Sequence, residues 1–401
     1  MRRIDDDERR ARLGRRHHLA VEARGDDVVD VARSLVGFHA TDPASVYVSA
    51  WARTAGVEPG DMSGALYDDR RLVRMLGMRR TMFVVPTTSL PVVQAACTDG
   101  VAERERRRIV KLLGDVGIAD SEAWLKETKA ATLAALDARG EAFAAELSVD
   151  VPALRTKFSY GEGKSYATET TMTSQMMNNL GAEGAIVRGR PRGDSWAGSQ
   201  YRWSHASRWF PAPPATLSKA GAQAELVRQW LAGFGPGTVA DLKWWTGLGL
   251  GEVRTALAAI GAVDVELEHG GAAVVLPDDV EPVATPEPWV ALLPALDPTP
   301  MGWTERDWYL GEHRPVLFDR NGNIGPTVWS DGRIVGGWGQ RRTKRKGDPA
   351  DGEIVVRLLD DVGAEKAALV AAEAERLRTW IGDVRFTPRF RTPLERELTV
   401  A

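Results

Sequence analysis

The sequence predicts a mainly helical α+β protein: three tandem units, each of helices followed by a β-hairpin, and then a β-rich C-terminal part. Three observations carry this. Apolar residues at 28, 31, 32, 35, 36 and 38 keep a helical period, and later stretches do the same. Paired runs of β-branched and aromatic residues recur after each set of helices. From about residue 281 the composition turns to proline, tryptophan and β-branched residues. The expected divisions are 1–116, 117–210, 211–280 and 281–401.

In the first unit, residues 1–25 are charged and read as one helix, either a solvated face or a phosphate-contacting arm. Asp42 followed by Pro43 starts a helix, with an acceptor at the cap and a proline in the first turn. His39 and Thr41 then sit at a tight corner between two helices, two residues apart, so both are expected to face one cleft. A short helix near 62–67 leads to a hairpin, 72–75 and 81–85, around the loop 77–80. Three helices and then a hairpin is the winged-helix order. Residues 89–116 read as a connecting helix, exposed along the charge run 103–108.

The second unit is expected as helices near 121–136, 140–147 and 167–180, then a hairpin 184–188 and 200–203. The Pro-Ala-Pro-Pro stretch 211–214 reads as a linker. The third unit repeats the order, with helices at 222–232, 238–248 and 252–260 and a hairpin 263–267 and 272–276 across His269-Gly270-Gly271. In the C-terminal part, strands are expected at 289–293, 316–319, 326–329, 334–338 and 353–357, closed by a helix over 363–380.

Composition bounds the rest. The chain has 401 residues, a net charge of −3 and 43% hydrophobic residues. No apolar run approaches the ~20 residues of a membrane span, and the first residues lack an apolar signal core, so the cytoplasm is expected. The single cysteine, Cys97, excludes an internal disulfide and a cysteine-based zinc site. The six histidines show no ligand-like spacing, so neither a metal nor another cofactor is expected. Most of the fourteen tryptophans are assigned to the core.

Two glycine-rich stretches fail as nucleotide motifs. In 161–165 the first glycine of a phosphate loop would fall on Phe158, and 247–251 joins two helices with the wrong spacing. The basic run Arg341, Arg342, Lys344, Arg345 and Lys346 reads as a phosphate clamp behind winged-helix units, with Arg79, Arg80, Arg190 and Arg192 in the hairpin loops as further DNA contacts. The hairpin 319–331 is the candidate for probing the minor groove. The expected partner is double-stranded DNA, bound by a monomer.

Six passages carry a family resemblance: 35–53 (LVGFHATDPASVYVSAWAR), 80–86 (RTMFVVP), 206–211 (ASRWFP), 233–248 (GFGPGTVADLKWWTGL), 292–306 (LLPALDPTPMGWTER) and 331–338 (DGRIVGGW). Together they resemble the AlkZ/YcaQ-like winged-helix DNA glycosylases. The resemblance implies excision of N-alkylated purines by a monofunctional glycosylase. It also implies a Q-x-Q or Q-x-D pair just before the Asp-Pro. Here those positions are His39 and Thr41, so His39, Thr41 and Asp42 are the candidate catalytic group. The departure leaves an alternative open, a DNA-binding protein without catalysis, such as a regulator or damage sensor.

Overall fold

The computed structural model describes residues 1–160, 168–193, 195–268, 271–343, 345, 348 and 350–399. The 161–165 stretch, the hairpin tip His269-Gly270, and Lys344 and Lys346 of the basic run lie outside the described residues.

Helices followed by a small sheet built on an antiparallel hairpin recur three times, as the periodicity implies. In the first case Leu72–Leu76 and Met82–Pro86 form the hairpin, and Phe38–His39 joins its free edge beside Met82–Pro86. In the second, Ile186–Pro191 and Tyr201–His205 pair, with Glu141–Phe143 on the edge. That edge strand takes the start of the segment expected as a 140–147 helix, and the helix is Ala144–Asp150 instead. The third long helix there starts only at Met172, because Thr168–Thr171 is a strand paired with Lys157–Tyr160. Four threonine and glutamate positions at 168–171 suit an extended, β-branched run better than a helix start.

The third sheet corrects the reading of the N-terminus. Arg2–Ile4 runs parallel to Val263–Leu267, which pairs with Ala272–Val275. Only Asp6–Arg16 is helical, capped by Asp5. Its arginines are neither a solvated face nor a free arm. Arg12, 1% exposed, bonds Glu8, Asp279 and the Glu281 carbonyl. Arg9 lies over Trp308 at 4.1 Å and Arg10 donates to the Trp308 carbonyl. The helix is a buried strut between the third sheet and the C-terminal part.

The C-terminal sheet is antiparallel, in the order Val290–Leu293, Thr327–Ser330, Arg333–Gln340, Ile354–Leu358. The segment expected as a 316–319 strand is instead a short helix, Arg314–Leu317, with Pro315 in its first turn, where a missing N–H costs nothing. Helix Gly363–Ile381 covers the sheet, and a second helix, Pro393–Thr399, lies along Arg333–Gln340. One apolar core runs through the first unit, the helices of the third and the C-terminal sheet; the third sheet keeps a small cluster around Ile4 and Val265, and most of the second unit packs around Leu136, Met176, Leu180 and Trp203. Two buried tryptophans donate to carbonyls inside the core: Trp338 to Leu293 at 2.8 Å and Trp303 to Phe234 at 3.1 Å. Among the described residues no helix is long and apolar enough to cross a membrane.

Candidate active site

The corner is built by backbone constraint. Helix Val28–Ser34 ends at Leu35, Val36 takes a φ of +61°, and Gly37 a φ of +152°. A Cβ on Gly37 would stand 2.8 Å from the Val84 carbonyl oxygen, so the chain can meet the hairpin this closely only with glycine there. Phe38 and His39 then pair with Val84 and Phe83, and the Ala40 amide donates to the Met82 carbonyl at 2.8 Å.

Pairing decides which way each side chain faces. Residues opposite one another in a sheet share a face. His39, Phe83 and Met75 form one row, while Phe38, Val84 and Arg74 form the other. His39 therefore lies across the sheet from Arg74. It is 7% exposed, edge-on to Phe83 at 5.6 Å. Burial, and then the nearby Arg79 cation, push its pKa down to about 3 against the opposing pull of Asp297. The imidazole is neutral at physiological pH, and its buried Nδ1 has no hydrogen-bond partner among the described residues. Thr41 is half-buried.

Asp42 belongs to the opposite surroundings. One carboxylate oxygen accepts from the Ala44 amide at 3.2 Å, capping helix Pro43–Trp51, and the other accepts from the Arg389 amide at 3.0 Å. Burial raises its pKa against those two bonds and the charges of Arg389 and Arg74. Asp42, the third candidate catalytic residue, thus ties the C-terminal segment down, while His39 feels the charge of Arg79.

Beside Asp42 the structure brings together residues that sequence patterns did not single out. Arg74 donates to the Ala40 carbonyl at 2.8 Å and lies over the Tyr201 ring at 4.8 Å. Tyr201, Arg188, Asn178, Phe143 and Trp203 line a cleft of about 510 Å³. Arg188 donates to Asn178 Oδ1 at 2.9 Å and lies over Trp203 at 4.6 Å. Burial, with the like charge of Arg74, pushes its pKa down to about 10. No local motif marks these residues, since they come from two hairpins, the Glu141–Phe143 edge strand and helix Met172–Ala182, spread over more than a hundred positions.

The expected DNA contacts are dispersed. Arg79 lies over Trp244 at 4.0 Å, and Arg192 lines the 510 Å³ cleft over Phe143 at 4.3 Å. Arg80 pairs with Glu105 at 2.6 Å, which buries the carboxylate of a charge run expected to be exposed. Arg190 pairs with Asp68 at 2.6 Å. Arg341 pairs with Glu353 at 2.8 Å, Arg342 stands 3.8 Å from Asp351, and Arg345 is exposed. The candidate probing hairpin is shorter than expected. Residues 319–323 form the turn, held by Asp319, whereas Thr327–Ser330 is a buried inner strand.

Two of the resembling passages, 35–53 and 292–306, meet in the core. Ser45, Ser49 and Arg53 are four apart on one helix face and its continuation. Ser45 donates to the Ala295 carbonyl at 2.6 Å and Ser49 to Asp297 at 2.6 Å. Arg53 and Asp297, both fully buried, form a two-pronged pair at 2.6 and 2.9 Å. These residues hold the corner helix rather than line a cleft. Among the described residues no three His, Cys, Asp or Glu side chains are grouped as metal ligands would be.

The architecture is that of a DNA glycosylase fold. It follows Streptomyces sahachiroi DNA glycosylase AlkZ with a TM-score of 0.69 over 94% of this chain and 96% of that one, at 19% identity. Residues 32–380 match the family described as DNA glycosylase AlkZ-like, and the chain belongs to that family. No curated protein sequence matches it.

Proposed function

We propose that the protein is a monofunctional glycosylase that releases N-alkylated purines from double-stranded DNA, acting as a cytoplasmic monomer without metal or redox cofactor. The observation that carries this reading is the match to the AlkZ-like DNA glycosylase family, which spans the corner and the 510 Å³ cleft beside it. The chemistry suits a corner without a strong acid. An N7-alkylated purine is already cationic and leaves without a general acid. What remains is to stabilise the developing oxocarbenium ion and hold a water under the sugar. A neutral imidazole with a pKa near 3 is a poor proton acceptor at pH 7, so His39 serves as a hydrogen-bonding post for that water, with Thr41 as its second contact. The aromatic and cationic 510 Å³ cleft lies on the Arg74 side of the sheet, away from His39, and suits DNA outside the reacting nucleotide, with Arg188 and Arg192 toward phosphate. The hairpin arginines and the 341–346 run supply peripheral phosphate contacts; their exposed ion pairs are weak enough to be exchanged for phosphate.

One observation favours a second reading, a DNA-binding protein without catalysis. The corner offers no free carboxylate, because both Asp42 oxygens are engaged by backbone amides. Release of N7-methylguanine from methylated duplex separates the two. The wild type is expected to release the base, and His39→Ala and Thr41→Ala to lose most of that release while still binding duplex. Binding without release by the wild type, extended to bulkier adducts, would establish the second reading.

A further inference from the structure

A cleft of about 660 Å³ lies between the 319–323 turn and the C-terminal segment whose Arg389 amide holds Asp42. Arg320, Arg389 and Arg396 line it, all exposed, and none has a carboxylate partner among the described residues. This sets them apart from Arg391 in the same wall, which pairs with Glu395 at 2.6 Å. The one carboxylate in the cleft, Asp319, is already engaged. It accepts from the Asn321 amide at 2.8 Å and from the Asn323 amide and side chain at 2.9 Å. Guanidiniums gathered around one cleft repel one another until an anion joins them.

Two further arginines, one exposed and one buried, link the surroundings of His39 to this cleft. Arg79, the cation nearest in influence to His39, lies over Trp244 at 4.0 Å. Arg306, 6% exposed, lies over the same ring at 5.0 Å and over Phe318 at 5.2 Å, and its Nε donates to the Trp303 carbonyl at 2.9 Å. Phe318 is itself part of the cleft wall. Gly247, with a φ of +76° at the end of helix Val239–Thr246, makes the approach possible, since a Cβ there would press on Arg79 at 3.3 Å. Cations and rings therefore alternate from the neighbour of His39 to the residue that holds Asp42.

We propose that the track from exposed Arg79 to the Arg320, Arg389 and Arg396 cleft, joined from beneath by the buried Arg306, carries the sugar–phosphate backbone of one DNA strand past the corner. The inference rests on the DNA-binding part of the function proposed above and adds where the strand lies. The guanidinium fork matches phosphate in two-pronged fashion, and a ring beneath it holds its plane while leaving its edge free to donate. Arg341 and Arg342 contribute less than their charge implies, because Arg341 already faces Glu353 and Arg342 faces Asp351.

The test is the salt dependence of binding to a labelled, undamaged duplex, read by fluorescence anisotropy across a series of KCl concentrations. Removing one phosphate-bound cation flattens the slope of log K against log salt by about 0.9. R320A/R389A/R396A is expected to flatten it by about 2 to 3, and R341A/R342A by less than about 1. R320K/R389K/R396K is expected to keep most of the slope and lose affinity, since lysine supplies the charge without the fork. Should the triple alanine variant fail to fold, R320A and R396A singly, both at exposed positions, are each expected to flatten the slope by about 1. Salt-dependent binding by the wild type with an unchanged slope in these variants overturns the track and leaves the glycosylase reading standing. Absence of duplex binding by the wild type overturns both.

Discussion

His39 shows how one residue's surroundings decide what chemistry it can do. Its ring is buried against Phe83 with a cation nearby, so the proton it would carry in water is excluded down to a pH of about 3. Base release is therefore expected to show no inflection from His39 between about pH 5 and pH 8. An inflection near neutrality that vanishes in His39→Gln would show a titrating base instead. The same depression has a thermodynamic sign. Between 6.5 and about 3 the unfolded imidazole takes up a proton that the folded one declines, so stability falls as pH drops through that window. His39→Gln is expected to reduce the slope of unfolding free energy against pH there, by up to about 1.4 kcal/mol per pH unit. Urea titrations at several pH values read this directly.

At the scale of elements, Asp42 joins two pieces of chain that lie 347 positions apart. It caps helix Pro43–Trp51 and holds the backbone at Arg389, which carries one wall of the basic cleft. Asp42→Ala is expected to cost about 1–2 kcal/mol from the lost cap and to loosen the 385–391 segment. Hydrogen exchange should show faster labelling of the Arg389 amide and of the first turn of the helix. Asp42→Asn keeps an acceptor for one of the two amides and is expected to restore most of that protection. Protection at Arg389 that is unchanged in Asp42→Ala would show that the segment is held by other contacts.

Across the whole molecule, the buried Arg53–Asp297 pair joins the corner helix to the loop that precedes the turn at 319–323, and Thr299 links both to His17 of the N-terminal strut. Removing one partner leaves a charge buried without compensation. Asp297→Ala is expected to destabilise the protein by about 3–5 kcal/mol, read as a lower urea midpoint. The continuous core through the first unit, the helices of the third and the C-terminal sheet makes that loss global, whereas most of the second unit has a core of its own.

The sequence by itself determined the α+β class, the recurring helices and hairpins, the Asp42–Pro43 helix start, the family resemblance and the core tryptophans. Each depends on local signals: apolar period, capping chemistry, turn residues and contiguous passages. Tertiary structure decided what local signals do not encode. Arg9, Arg10 and Arg12 read as an exposed charged face because their partners, Trp308, Asp279 and Glu281, lie far along the chain. The 168–171 and 314–317 segments changed type because a pairing strand and a proline outweighed weak propensities. His39 and Asp42 part company because strand pairing sets the face of the first and helix capping the direction of the second. Arg320, Arg389 and Arg396 carry no motif, since charge that converges from separated segments is a property of the folded surface alone.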